Sequence, residues 1–300
     1  MKLQHLLGAL LLTCAFHTHA DDHSRTVSVS NYHDVLNLFN EIGYTAKQWQ
    51  AGIREVPRVE IMSIPARWQT ESQHIPVKEK KTIFFRLAGS GVLLANEKIA
   101  AERKTLQNKI KQKSAASDPW TLELARKYKV AKDETQSLTP EQLDKLLLRV
   151  DTVPPSLALA QAAEESGWGT SRFTIQGNAL FGQWDFSGKG MKPKEQRAEL
   201  GNYGLASFDK PLLSVEAYLL NLNTNRAYKK LRDKRAAMRN SGKKPSGWEL
   251  AKTLDKYSER GTAYIDTLHT IMRVNKLAAT DDAYLWEKGT IRVEPTPDQQ

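Results

Sequence analysis

The chain has 300 residues, of which 40% are hydrophobic and 26% are charged, so it can bury a sizeable core in roughly two domain-sized units. Its 44 Lys and Arg residues exceed its 34 Asp and Glu residues. The resulting net charge of +10 indicates an anionic partner without choosing among nucleic acid, anionic lipid and acidic polymers. A single cysteine excludes an internal disulfide and a zinc site built on several thiolates.

The first twenty residues have the pattern of a secretory signal. A basic residue, Lys2, precedes an apolar run over 6–16 and small or polar residues that end at Ala20. The apolar run is too short for a stable membrane anchor. No later stretch has the ~18 uninterrupted apolar residues of a transmembrane helix, so we expect no integral membrane segment in the mature chain. Lipid attachment at Cys14 is the alternative. The sequence therefore predicts an exported protein, periplasmic or secreted.

Residues 21–117 are expected to form a mixed α/β N-terminal region of unknown role. The pattern predicts a helix over 32–42, a strand over 58–62 and a long helix over 78–113. Gly89-Ser90-Gly91 interrupts the long helix, which indicates either a kink or close helix packing. A polar link over 114–119 predicts a boundary before a second unit.

Helical patterns dominate the second unit, which we place at 118–280. Thr139 as cap and Pro140 in the first turn begin one helix, and further helices are predicted over 156–165, from Pro211 onward, over 247–256 and over 263–274. The glycine-rich interval 177–204 is expected to be loop with a small β-hairpin lobe. Residues 281–300 are expected to be a C-terminal tail, disordered from Glu294 onward. The predicted fold class is mainly α.

The motif with the clearest chemical meaning surrounds Glu165. It reads Ala160-Gln161-Ala162-Ala163-Glu164-Glu165-Ser166-Gly167-Trp168-Gly169 and is followed by Asn178-Ala179-Leu180-Phe181-Gly182. We expect Glu165 in the last turn of a helix that Ser166-Gly167 ends in a left-handed conformation. The negative pole of the helix and apolar neighbours would both raise the pKa of this carboxyl, as protonation of a glycosidic oxygen requires. Glu164 points about 100° away around the helix. A solvated helix end is the alternative interpretation.

Other chemistry has little material in this half of the chain. Of the seven histidines only His269 lies there, which disfavours a Ser-His-Asp triad or a histidine-based metal site, and no glycine-rich phosphate loop is present. We therefore expect no metal and no cofactor.

These motifs together resemble the peptidoglycan-cleaving endo-β-N-acetylglucosaminidases of glycoside hydrolase family 73, and among them the bacterial Bax-type members. The resemblance covers about 130–277 and includes Leu205-Ala206-Ser207-Phe208, Ser214-Val215, Tyr218, Asn221-Leu222-Asn223-Thr224, Ala227-Tyr228, Leu254, Tyr257-Ser258-Glu259-Arg260-Gly261 and Tyr264. It implies a lysozyme-like helical domain, hydrolysis of the β-1,4 bond after N-acetylglucosamine, Glu165 as the general acid, and Tyr257 beside the cleft.

The sequence does not identify the second catalytic carboxylate. Inverting glycosidases place it ~6.5 to 9.5 Å from the acid and retaining ones about 5 Å away. The resemblance implies a glutamate in the β lobe, where Glu195 is the first candidate and Glu199 and Asp185 follow. The acetamido group of the substrate, or a water held by Tyr257, could replace it.

Aromatic residues around the motif are candidates for sugar contacts. We predict that Trp184 and Tyr203 line the sugar groove, that Phe181 belongs to the core, and that Trp168, Asn178 and Tyr264 also bind substrate. Trp168 could equally be a core residue, because aromatic side chains bury large areas.

Three functions remain to be separated. The first is a monomeric glucosaminidase acting on peptidoglycan glycan strands, and the second is a lytic transglycosylase. The third is a noncatalytic protein that binds the cell wall or nucleic acid, although the signal segment disfavours nucleic acid as a partner. The basic run over 229–244 is either a solvated helix face or a hold on an anionic polymer.

Overall fold

The computed structural model describes residues 24–185, 187, 190–193 and 203–297. The predicted signal, with Cys14, therefore lies outside the described residues. The α-helices are α1 Tyr32–Glu41, α2 Ala46–Gln50, α3 Trp68–His74, α4 Val77–Lys111, α5 Pro119–Lys127, α6 Pro140–Arg149, α7 Pro155–Ser166, α8 Arg172–Gly177, α9 Pro211–Thr224, α10 Lys229–Asn240, α11 Gly247–Ala251 and α12 Thr262–Val274. Short 3-10 helices cover Arg226–Tyr228 and Leu277–Asp282. The mainly α class is confirmed.

The strands are short and form three small sheets. They are β1 Arg25–Val29, β2 Glu55–Val56, β3 Val59–Ile61, β4 Trp184–Asp185, β5 Gly204–Leu205, β6 Tyr284–Leu285 and β7 Ile291–Pro295. The antiparallel pair β4–β5, with a further bridge between Met191 and Leu205, is the predicted hairpin lobe. Among the described helices, none combines the length and the apolar character that crossing a membrane would need.

Local sequence signals set several helix ends as predicted. Thr139 Oγ1 accepts from the Gln142 backbone N–H at 3.3 Å, and the Gln142 side chain accepts from the Thr139 N–H at 2.9 Å, so α6 begins with a capping box and Pro140 in its first turn. Gly167 ends α7 with φ 57°, in the left-handed region that glycine adopts without strain. By contrast, α11 ends at Ala251 and not near residue 256.

The long helix α4 joins the N-terminal region to the helical half. A Cβ added at Gly89 would lie 4.0 Å from Leu159 of α7, and one at Gly91 would lie 4.0 Å from Val215 of α9, so the two glycines permit close helix packing. Between them, the buried Ser90 hydroxyl accepts from the Val59 N–H and donates to a carbonyl oxygen beside it. One hydrophobic core therefore includes α4, α7 and α9.

The end of the chain corrects the predicted C-terminal tail. β7 lies at the centre of a parallel three-stranded sheet of order β1-β7-β3, with Val27 opposite Val293 and Val59 opposite Ile291. Ile291 and Val293 are buried whereas Arg292 and Glu294 are exposed, which is the alternation of a half-buried strand. The tail predicted for 281–300 was wrong for β6 and β7, and the disorder predicted from Glu294 onward was wrong for Glu294 and Pro295, because pairing with β1, β2 and β3 from far earlier in the chain orders these residues.

Candidate active site

Glu165 is the penultimate residue of α7, a helix in which ten of the 12 residues are buried. Its carboxyl is withdrawn from solvent on one side, where Oε1 accepts a hydrogen bond from the Tyr264 hydroxyl at 2.7 Å. On the other side Oε2 faces Gly182, where an added Cβ would lie 3.7 Å away with no other atom near it. Because Gly182 is exposed and has no side chain, Oε2 is open to a bound molecule.

Three side chains form a directed hydrogen-bond relay that ends on Glu165. The Tyr218 hydroxyl donates to Gln161 Oε1 at 2.6 Å, Gln161 Nε2 donates to the Tyr264 oxygen at 2.9 Å, and the Tyr264 hydroxyl donates to Glu165. Tyr218, Gln161 and Tyr264 are at most 1% exposed, so every polar atom of the relay is satisfied inside the core. The relay holds Oε1 in place, and Oε2 is the oxygen of Glu165 that stays available to a bound molecule.

The surroundings of Glu165 raise the pKa of its carboxyl above the ordinary value of 4.5. Burial is the main cause, and the hydrogen bond from Tyr264, which favours the ionised form, opposes it only in part. The negative charge of Glu164 raises the pKa further, and Arg260 lowers it. Arg260 forms its ion pair with Glu164 at 2.6 Å, and no guanidinium of the described residues forms an ion pair with Glu165 itself. The predicted raised pKa is confirmed in direction.

Tyrosines surround this carboxyl more densely than the sequence suggested. The Tyr257 ring stacks on Tyr264 with centroids 5.4 Å apart and planes at 6°, and Tyr228 lies 5.6 Å from Tyr257. Burial and the charge of Glu165 raise the pKa of Tyr257 well above 10, which keeps the phenol neutral. A direct catalytic role for Tyr257 stays a prediction.

Tyr264 has a different position from the one we predicted. We expected a substrate contact, but a side chain that is 1% exposed offers no face to a sugar. Its hydroxyl instead holds the catalytic candidate, so the prediction is replaced by a positioning role. Gln161 and Tyr218 belong to the motifs that carry the family resemblance, but the sequence predicted no role for them. Gln161 bonds to Tyr218 and to Tyr264, which lie 57 and 103 positions away, so the local sequence gives no sign of these bonds.

Two other predicted substrate contacts, Trp168 and Asn178, are in contact with other parts of the protein. Trp168 packs edge-on against Phe84 and Phe85 of α4, with centroids 5.7 and 5.3 Å apart, and the Lys81 ammonium lies 4.9 Å from its ring centroid. Asn178 Oδ1 accepts from the Ile64 N–H, and Asn178 Nδ2 donates to the main-chain oxygens of two consecutive residues, Phe208 and Asp209. Their contact with substrate stays a prediction.

The β lobe carries the remaining aromatic candidates. Trp184 is 53% exposed, and its ring lies 4.7 Å from that of Tyr203, which is only 6% exposed. Of these two predicted groove residues, Trp184 exposes its ring and Tyr203 is buried against it, and contact of either one with a sugar stays a prediction. Phe181 is 1% exposed and stacks on Tyr218 at 3.7 Å, so its predicted place in the core is confirmed.

Of the three candidates for a second carboxylate, the structure locates one. Asp185 in β4 accepts hydrogen bonds from the Ser187 N–H at 2.7 Å and the Ser187 hydroxyl at 2.9 Å, which hold it in the turn of the lobe. Glu195 and Glu199 lie outside the described residues. The choice among the three stays a prediction.

The basic run over 229–244 is not simply a solvated face. Arg232 and Arg235 are 3% and 1% exposed, and burial lowers the pKa of Arg235 to about 10. Arg239 binds the buried Asp151 carboxylate through Nε and Nη2, both at 2.7 Å. This part of the run therefore fastens α10 to the loop before α7, and the lysines supply its exposed charge.

Within the described residues no three His, Cys, Asp or Glu side chains come together in a way that could hold a metal ion. His269 stacks on Trp248 with centroids 3.9 Å apart. Its Nε2 lies 3.0 Å from the Trp248 carbonyl oxygen, so this histidine belongs to the surface of the helical half.

Comparisons with known proteins point to the same part of the chain. The family described as mannosyl-glycoprotein endo-beta-N-acetylglucosaminidase matches residues 143–284, which include the whole relay. A relative, Protein bax of Escherichia coli (strain K12), is 33% identical over 199 residues, which cover 66% of this chain and 70% of the relative. No solved structure matches the chain significantly.

Proposed function

We propose, because the chain belongs to the glucosaminidase family that includes Bax-like proteins, that it hydrolyses the β-1,4 bond after N-acetylglucosamine in peptidoglycan strands. At the level of the family, the chain is a glycosidase that acts on peptidoglycan. The bond that is cut and the residue that supplies the proton are our proposals.

The open oxygen of Glu165 is the observation that carries the proposal. Burial raises the pKa of the carboxyl and so favours the protonated form, and Oε2 beside Gly182 is where the proton can reach a glycosidic oxygen. As the bond to the leaving sugar breaks, the carboxyl becomes charged. The Tyr264 hydroxyl then stabilises that charge through Oε1, because a hydrogen bond to an ionised acceptor is stronger than one to a neutral acceptor.

A nucleophile must complete the hydrolysis on the far face of the sugar. Glu195 remains our first candidate, with Glu199 and Asp185 after it, and participation by the acetamido group of the substrate is the alternative. The Trp184 ring is proposed to hold a sugar by stacking, since its exposed face lies in the same lobe as these carboxylates.

Replacing Glu165 by Gln tests the assignment of the acid. The amide keeps the shape but has no acidic proton, so release of muropeptides should fall about 10²- to 10⁴-fold while binding of glycan strands stays near that of the wild type. Glu164→Gln is the matched control, because its carboxylate pairs with Arg260 and is expected to leave the rate within about twofold. A Glu165→Gln variant that cleaves at the wild-type rate would contradict the proposal.

Mass analysis of the products separates the remaining functions. A hydrolase releases reducing sugars that carry one added water, whereas a lytic transglycosylase releases anhydro sugars. Anhydro products would replace the hydrolase by the transglycosylase. Strand binding without any product from the wild type would indicate a noncatalytic cell-wall protein.

We also propose that the protein is exported to the periplasm or secreted, with cleavage after Ala20. The pattern of the first twenty residues supports this, and its substrate class lies outside the cytoplasmic membrane. Cell fractionation and sequencing of the mature N-terminus test it. A lipid-modified Cys14 at the mature N-terminus would favour the anchored alternative.

A further inference from the structure

A second groove lies on the side of the molecule formed by α4. It has a volume of about 350 Å³ and is bounded by α2, α4, the first turns of α7 and the chain that follows α12. The helices α2 and α4 precede the residues that match the glucosaminidase family, whereas α7 and the chain after α12 lie among them, so the N-terminal region and the family domain form this surface together.

The groove is strongly positive. Lys78, Lys81, Arg86 and Lys276 line it, and none of the described lining residues is Asp or Glu. Within the described part of the chain, none of these four cations forms an ion pair, although Lys81 lies over Trp168. Unpaired charges of one sign in a concave site attract a ligand of the opposite sign.

Arg86 shows that this charge is costly to maintain. Its guanidinium is partly buried, lies 5.1 Å from the Phe39 ring centroid and 5.2 Å from that of Tyr44, and has no hydrogen-bond acceptor among the described residues. The burial lowers the pKa of Arg86. Because a desolvated guanidinium without an acceptor is unfavourable, an anionic ligand that accepts from it would offset the cost.

The groove lies next to the turn that follows Glu165. Phe85, in its wall, packs against Trp168, which lies three residues after Glu165. Pro155 and Leu159 of α7 line another part of the same groove.

We propose that this groove binds the acidic peptide stems that peptidoglycan strands carry, with Arg86 as the main partner of a stem carboxylate and Lys81 as a second. This inference rests on the proposed function, since the stem arrives attached to the glycan strand. Trp49 and Phe85 give the groove apolar walls, which can pack against the apolar parts of a peptide. A bare phosphate polymer has no apolar groups to place against these walls.

Binding of a soluble stem peptide with two carboxylates tests the groove without depending on catalysis. Arg86→Gln should weaken the binding at least tenfold, because a hydrogen-bonded charge pair is lost. Lys81→Gln should weaken it about threefold, and the same change at Lys111 is the matched control, since Lys111 is an exposed residue of the same helix and should leave the affinity unchanged. Equal losses at Lys81 and Lys111 would overturn the proposal, as would tighter binding of inorganic polyphosphate.

Kinetics on two substrates complete the test. Arg86→Gln should raise KM about tenfold on strands that carry stems and leave KM unchanged on strands whose stems have been removed. Equal effects on both substrates would overturn the groove as a stem site. Cleavage without peptide binding would overturn this inference alone, whereas peptide binding without cleavage would support the groove and contradict the proposed hydrolase.

Discussion

Asp151, in the loop before α7, and Glu165, in its last turn, are both withdrawn from water, but their partners differ. Asp151 is 3% exposed, and its carboxylate receives Arg239 at 2.7 Å, Arg235 at 3.4 Å and Arg103 at 3.8 Å. Among the described residues, Glu165 receives only the neutral Tyr264 hydroxyl. Guanidinium groups balance the charge of Asp151, which joins separate elements. In the described part of the chain no cation pairs with Glu165, and burial favours its protonated form.

Removing the negative charge of Asp151, which the three arginines balance, should have the largest effect, and it should appear in the free energy of unfolding. Asp151→Asn leaves Arg235 and its neighbours buried without a counter-charge, so the free energy of unfolding should fall by about 3 to 5 kcal/mol. Denaturant titration measures the change. Glu164→Gln, which breaks a more exposed ion pair, should cost no more than about 1 kcal/mol. Equal stability losses in the two variants would remove the distinction between the two ends of α7.

Removing the Tyr264 hydroxyl, the neutral donor to Glu165 at the C-terminal end of α7, should lower the reaction rate more than the free energy of unfolding. Tyr264→Phe deletes the hydrogen bond that stabilises the charged carboxylate, which is worth about 1.5 to 3 kcal/mol and corresponds to at least a tenfold fall in kcat/KM. The same deletion should raise the pKa of Glu165 and move the basic limb of the pH profile upward. A lower rate with an unmoved limb would show that Tyr264 acts only through packing.

The pH dependence of stability gives the smallest effect. The pKa of Glu165 is raised in the folded state, so its stabilising contribution is fully present below about 4.5 and is lost as the pH rises through the folded-state pKa. Relative to Glu165→Gln, which does not titrate, the wild type should lose about 1.4 kcal/mol for each unit of pKa difference. Unfolding curves between pH 4 and 8 measure this, and parallel curves for the two proteins would contradict the raised pKa.

Sequence reasoning succeeded where the cause is local. The capping residues of α6 and the left-handed Gly167 act within a few positions, and the apolar helix around Glu165 explains its raised pKa. It failed where the cause is distant. The relay depends on Gln161 meeting two tyrosines from α9 and α12, and no spacing within one helix shows that meeting.

The basic run over 229–244 did not reveal its buried arginines, for a similar reason. A run of basic residues normally indicates a solvated face, yet Arg235 is buried because Asp151 and the carbonyl oxygens beside it come from another part of the chain. Conversely, three cations of the groove beside α4 belong to that helix, and only the fold brings Lys276 from beyond α12 to join them.

The central place of β7 has a consequence for how the molecule is made. β1 and β3 both pair with β7 and not with each other, so these two early strands have no neighbour in that sheet until β7 has been synthesised. Pairing between distant segments is slow because a large loop must close first. The sheet therefore assembles only after synthesis has passed β7, and a chain that stops before Ile291 would leave both early strands with unpaired edges.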